Sequence, residues 1–219
     1  MNTRIMSMCV ATLVVAGLHS SNAQEQTPDL RGIPEGKGWS GSIDATKLVE
    51  KDGSPAIEFN KRGQNVVWID GFVFKEGTIE FDAKGKGAPP QGSFIGVAFR
   101  VVDLETHDAI YFRPFNFHAE DPQRRAHAVQ YVSEPEWPWR RLRKEKTGQF
   151  EQPINPAPDG DAWFHVKIVL QNRKVTVFVN GEIEPSLTVN ELSERPAGSI
   201  GLWCNGYGVI SNLKITPSK

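Results

Sequence analysis

The run WFHVKIVLQNRKVTVFVNG, residues 163–181, decides the fold. Trp163 to Leu170 and Lys174 to Asn180 are two stretches rich in β-branched and aromatic residues, split by Gln171-Asn172-Arg173. Two such stretches with a short polar break predict a β-hairpin. Asn180-Gly181 then supplies the left-handed backbone that a tight turn needs. Further toward the N-terminus, Gly77 to Lys84 (GTIEFDAK) alternates cleanly, with Ile79, Phe81 and Ala83 on one face and Thr78, Glu80 and Asp82 on the other. Period-two alternation of this kind marks a half-buried strand. Ser93 to Val102 puts Ile95, Val97, Phe99 and Val101 on one face and Gly96, Ala98 and Arg100 on the other. Further strands are expected at Ala56 to Asn60, Asn65 to Asp70, Asp108 to Phe112, Ala126 to Ser133, Ser199 to Asn205 and Val209 to Thr216. Two breaker-rich loops, Gly85 to Gly92 and Pro153 to Asp161, interrupt them. No run of ten or more residues has helical periodicity, and at most Val189 to Ser193 makes one turn. Many short strands with Gly/Pro turns between them predict an all-β, two-sheet antiparallel sandwich or barrel.

Outside that body lies an N-terminal export pattern. Arg4 gives a positive start, Met6 to Leu18 is an apolar run, and Ser21-Asn22-Ala23 is a small-residue cleavage site. The run is too short to span a bilayer, and nothing later is apolar for long enough. Residues 1–23 are therefore expected to be a signal peptide, 24–38 a flexible polar lead, and 39–217 one domain of a secreted, periplasmic or extracellular protein. Loss of residues 1–23 removes Cys9 and leaves Cys204 as the only cysteine, so no intrachain disulfide can form. The formal charge of the whole chain, −1, argues against general nucleic-acid binding, which rests on a strong positive excess.

Two segments resemble the last strands of concanavalin A-like, laminin-G-like jelly rolls. One is Trp163-Phe164-His165-Val166-Lys167-Ile168 followed by Val175-Thr176-Val177-Phe178-Val179-Asn180-Gly181. The other is Gly198-Ser199-Ile200-Gly201-Leu202-Trp203 followed by Ile210-Ser211-Asn212-Leu213-Lys214-Ile215. The pattern is especially similar to the bacterial secreted family of 3-keto-disaccharide hydrolases. The resemblance implies a two-sheet jelly roll with a glycan on the hollow face of one sheet. It also implies cleavage of an oxidised sugar whose ketone acidifies a neighbouring ring proton, a reaction that needs a base. No base is assigned by the matched motifs, which consist of core and turn residues. Trp163 reads as core packing; Trp203, beside Cys204 and Asn205, reads as either core or loop.

A groove floor wants small residues with longer polar ones at its edges. Gly96, Ala98 and Arg100 fit, as do Tyr111 and Arg113 on the next strand and Ala128 and Gln130 on the third. Guanidinium groups fork two donors onto vicinal hydroxyls or a carboxylate. Asn116 and His118 follow at a strand end, His118 being a potential general base. The stretch Glu134-Pro135-Glu136-Trp137-Pro138-Trp139-Arg140-Arg141-Leu142-Arg143 adds Glu134, Trp137 and Trp139, whose indoles can stack on sugar rings. The basic run Arg140 to Lys146 reads as a solvated rim that could favour acidic sugars. Glycosidases of this fold that retain configuration use a Glu-x-Asp-x-x-Glu strand, but Gly85 stands where the second Glu is needed after Glu80-Phe81-Asp82. No zinc-type His/Cys spacing is present and no cofactor is expected, though a structural Ca²⁺ could sit at Asp159 to Asp161. The expected partner is an oligo- or polysaccharide, with neither nucleic acid nor membrane insertion. A glycan-recognising module is the leading expectation; a glycan-processing enzyme or lyase, and a structural or adhesion domain without a sugar site, stay open.

Overall fold

The computed structural model describes residues 24–88 and 92–218, so the expected signal peptide lies outside the described residues. The first strands in chain order are β1 (Trp39–Gly41), β2 (Thr46–Lys51), β3 (Ser54–Phe59), β4 (Gln64–Ile69), β5 (Gly77–Lys84), β6 (Ser93–Val101) and β7 (His107–Phe112). They are followed by β8 (Val129–Glu134), β9 (Glu151–Gln152), β10 (Trp163–Gln171), β11 (Lys174–Val179), β12 (Leu187–Asn190), β13 (Ser199–Gly206) and β14 (Gly208–Pro217). Two short helices, α1 (Pro122–Arg125) and α2 (Trp139–Glu145), lie either side of β8 in the chain. One seven-stranded sheet runs β12-β11-β10-β5-β14-β3-β2 and the other β1-β4-β13-β6-β7-β8-β9, with every pairing antiparallel. The fold of the chain is the all-β sandwich expected from the strand pattern, in the jelly-roll form that the resemblance implies.

The deciding hairpin pairs Gln171 with Lys174 and Val166 with Val179. Its turn residues Asn172 and Arg173 both have positive φ, 51° and 61°, which matches the twist of the flanking strands. Alternation then sorts side chains between core and surface. Ile79, Phe81 and Ala83 of β5 face Ile95, Val97 and Phe99 of β6 in a layer without solvent. Phe112 and Phe164 meet edge to face across the two sheets at 5.2 Å.

Several expectations are corrected. Trp163 does not fill the core: Phe164 takes that side of β10, and Trp163 lies outward under the Lys51 ammonium, 5.2 Å from its ring centroid. The lead at 24–38 is not free, because Gln26 bridges Ile215 and a short 3-10 turn buries Leu30 and Ile33. Two apolar residues spaced three apart suffice to anchor it. Val189 belongs to strand β12, where Leu187 and Val189 are buried and Thr188 and Asn190 exposed. Ala126 caps α1 instead of opening β8, since its N–H bonds the carbonyl of Pro122.

Candidate binding cleft

A cleft of about 760 Å³ opens on the outward face of the β1-to-β9 sheet. Its floor is aromatic. Trp203 on β13 and Tyr111 on β7 both pair with Gly96 of β6, which lies between them. With no side chain on the middle strand, the two rings lean together and stack, centroids 4.6 Å apart and planes 18° from parallel. A Cβ on Gly96 would stand 2.0 Å from the Ile110 carbonyl oxygen and 2.6 Å from Tyr111 Cα, so only glycine fits. The small residue thus makes room for the ring pair, not for a bare sheet surface. Phe94 extends the apolar side, edge-on to Tyr111 at 6.1 Å.

The polar wall is built on β7, β8 and β9. Gln130 pairs with Tyr111 on one side and Glu151 on the other. Its Oε1 accepts from the Tyr111 hydroxyl at 3.1 Å and from Arg113 Nη2, and Arg113 also donates to the Tyr111 oxygen at 2.8 Å. Burial pushes the Tyr111 phenol up to about 12, so it stays a neutral donor. Glu151 accepts a forked pair from Arg143 of α2, from Nε at 3.0 Å and Nη2 at 2.9 Å. His127 Nδ1 stands 2.9 Å from the same carboxylate. Burial lowers the His127 pKa, helped by Arg143 and Arg113 and opposed by Glu151, which favours the neutral ring. Glu134 also lines the cleft, and burial raises its carboxyl.

Among the described residues, the buried side-chain atoms without a hydrogen-bond partner include Trp203 Nε1 and Asn116 Oδ1, both on cleft-lining residues. Gln130 Nε2 is a further one, on a residue that is fully buried and outside the cleft lining. A buried polar atom left unpaired costs about 1–3 kcal/mol. Two of them at the lining of one cleft are what a polyhydroxylated ligand would satisfy.

Of the residues expected at the site, Tyr111, Arg113, Asn116, Glu134 and Trp139 line the cleft, and Gln130 supports it. Arg100 does not. The β6–β13 register slips between Gly201 and Ser199, and Arg100, φ 54°, sits in the resulting bulge. Its guanidinium turns away into a buried ion pair with Glu191 and bonds to the carbonyls of Phe74 and Lys75. His118 is exposed and outside the cleft lining, because the 3-10 turn Pro114–Asn116 ends β7 before it. Trp137 is likewise outside: its backbone bridges Ser133 and its ring packs on the core under Arg141 at 4.0 Å. Phe94, Phe115, Arg124, His127, Trp203 and Asn205 were not expected there, and Arg140 and Arg143, expected on a solvated rim, join the lining. The i, i+3 spacing of Arg140 and Arg143 after Pro138 was the legible signal, since it puts both on one helix face.

At the loop Asp159 to Asp161 both carboxylates accept from backbone N–H groups. Asp159 Oδ1 accepts from the Asp161 N–H and Asp161 Oδ1 from the Gly87 N–H. Among the described residues no cluster of three or more His, Cys, Asp or Glu is placed to hold a metal ion. No helix among them is long and apolar enough to cross a membrane.

Fold and cleft together define a concanavalin A-like jelly roll with an aromatic, arginine-walled cleft on one sheet. The chain belongs to the family of 3-keto-alpha-glucoside-1,2-lyase-like domains, whose profile matches residues 33–215. Comparison with curated protein sequences finds no match. Among solved structures it is similar to the carbohydrate-binding module CBM66 of Bacillus subtilis, with 14% identity and a TM-score of 0.56 over 82% of this chain and 96% of that one. It is similar also to the Ca²⁺-bound exoplasmic/lumenal domain of VIP36, at 11% identity and a TM-score of 0.58, over 89% and 90% of the two chains. A Bacillus subtilis protein of unknown function with a galectin-like fold is similar at 14% identity and a TM-score of 0.54, over 88% of this chain and 98% of that one.

Proposed function

We propose that the chain is an exported carbohydrate-binding domain that takes an oligo- or polysaccharide into the cleft over Tyr111 and Trp203. The observation that carries this is the coincidence of unpartnered buried polar atoms with a stacked aromatic floor. A pyranose ring presents an apolar face to an aromatic plane and a girdle of hydroxyls that both donate and accept. Trp203 Nε1 offers a donor to that girdle, and Asn116 Oδ1 an acceptor. The family and the sugar-binding names among its structural neighbours agree in direction. Export rests on the N-terminal pattern of residues 1–23.

A second reading, catalysis, is favoured by one further observation. His127 is held toward its neutral form beside Glu151, while burial holds the Glu134 carboxyl toward its protonated form. The family description names a lyase acting on a 3-keto-glucoside. Such an elimination removes the proton at C2, which the C3 ketone acidifies, and breaks the bond from C1 to the glycosidic oxygen. A double bond forms between C1 and C2, and the departing oxygen takes up a proton. Neutral His127 has the chemistry of the base, and Glu134 that of the acid.

Incubation with plain, uronic and 3-keto glycans separates the readings. Product release, lost on His127→Gln, supports catalysis. Saturable binding without turnover supports the binding domain. Silence on every sugar overturns both.

A further inference from the structure

The cleft carries more positive charge than a neutral sugar needs. Four guanidinium groups, those of Arg113, Arg124, Arg140 and Arg143, line it, against a single lining carboxylate, Glu134. Glu151 behind the wall offsets part of this, but it is already engaged by Arg143 and lies 3.9 Å from Arg113. Arg124, in the last turn of α1, and Arg140, stacked 5.2 Å over Trp139, have no ion pair among the described residues. An acceptor-only, negatively charged group answers that excess.

We infer that the cleft selects a saccharide bearing an anionic substituent, either the carboxylate of a uronate or a sulfate ester, which Arg124 and Arg140 meet from the two helices flanking the aromatic floor. The inference rests on the saccharide reading above and names its substrate class. Charge-assisted hydrogen bonds give such a sugar about a tenfold or larger advantage over its neutral counterpart. The advantage shrinks as salt rises, because both arginines are exposed.

The test is a tryptophan-fluorescence titration of the full mature chain with three disaccharides of one linkage: neutral, carboxylated at C6, and sulfated. Inorganic sulfate serves as the fourth probe. The expected result is that at least one charged sugar binds about tenfold tighter than the neutral one. The tighter arm names the substituent. In the double variant Arg124→Gln with Arg140→Gln the gap narrows by about threefold or more. Equal or tighter binding of the neutral sugar overturns the charge inference and leaves the saccharide reading standing. So does a gap that survives the double variant unchanged. If no sugar binds, or if inorganic sulfate alone matches the sulfated sugar, both fall. Circular dichroism of the double variant guards against misfolding.

Discussion

Each sheet turns a polar cluster outward, and the two clusters are wired in opposite ways. On the β12-to-β2 sheet, Asp82 accepts from Lys51 at 2.6 Å and from Asn212 at 2.7 Å, and His165 Nδ1 lies 2.9 Å away. Burial alone would raise the Asp82 carboxyl, but the hydrogen bonds of Lys51, Asn212 and His165 outweigh it and hold it below its ordinary value. At the cleft on the other sheet, Trp203 and Asn116 each keep an unpaired buried atom. A network that is complete by itself has no call on a ligand; one with groups left over does. Being unpaired is not sufficient, however. Both ring nitrogens of His107 are also unpartnered, yet His107 is sealed from solvent and outside the cleft lining. The distinguishing property is unpaired polarity at the wall of an opening.

The hardest way to break the contrast is to fill the gap under the ring pair. Gly96→Val would drive side-chain atoms into the backbone of Ile110 and Tyr111 and part the rings above. A stability loss of about 3 kcal/mol or more is expected in urea unfolding, together with loss of sugar binding. A Gly96→Val variant of unchanged stability would show that the ring stack does not depend on the bare strand. The next effect is smaller and confined to the other face. Asp82→Ala strands Lys51 and Asn212, both partly hydrated, and should cost about 1–2 kcal/mol. Sugar affinity should stay where it was. A binding defect in this variant would mean that the complete network also takes part in recognition.

How much of this could be seen in the amino-acid order follows from the range of each signal. Alternation is local, so β5 and β6 were legible, and so was the common face of Tyr111 and Gln130, which the β7–β8 register sets side by side. Arg100 was misplaced because alternation holds only while the register holds, and a bulge lies under that residue. Trp137 and Trp139 are two apart and read as equals. They diverge because α2 begins at Trp139 with Pro138 as its cap, while Trp137 is still bridged to β8. Glu151 was invisible for another reason. It sits on a two-residue strand, and only pairing with Gln130 brings it to His127 and Arg143. Ion pairs made by long-range pairing leave no mark on a local pattern.

The finest test of the contrast alters one atom's chemistry and little else. Trp203→Phe keeps an aromatic ring over Tyr111 but removes Nε1–H, a buried donor without a partner. Two stability effects then oppose each other. The lost ring area weakens packing, and the removed donor relieves a desolvation penalty, so the net change should lie within about 1 kcal/mol. Binding has no such compensation. If Nε1 reaches a sugar hydroxyl, affinity should fall about threefold to tenfold while the unfolding midpoint holds nearly still. That separation of affinity from stability is the signature of an unpaired group kept for a ligand. The reverse pattern, a destabilised variant with unaltered affinity, would place Trp203 with Asp82 among residues that serve the fold alone.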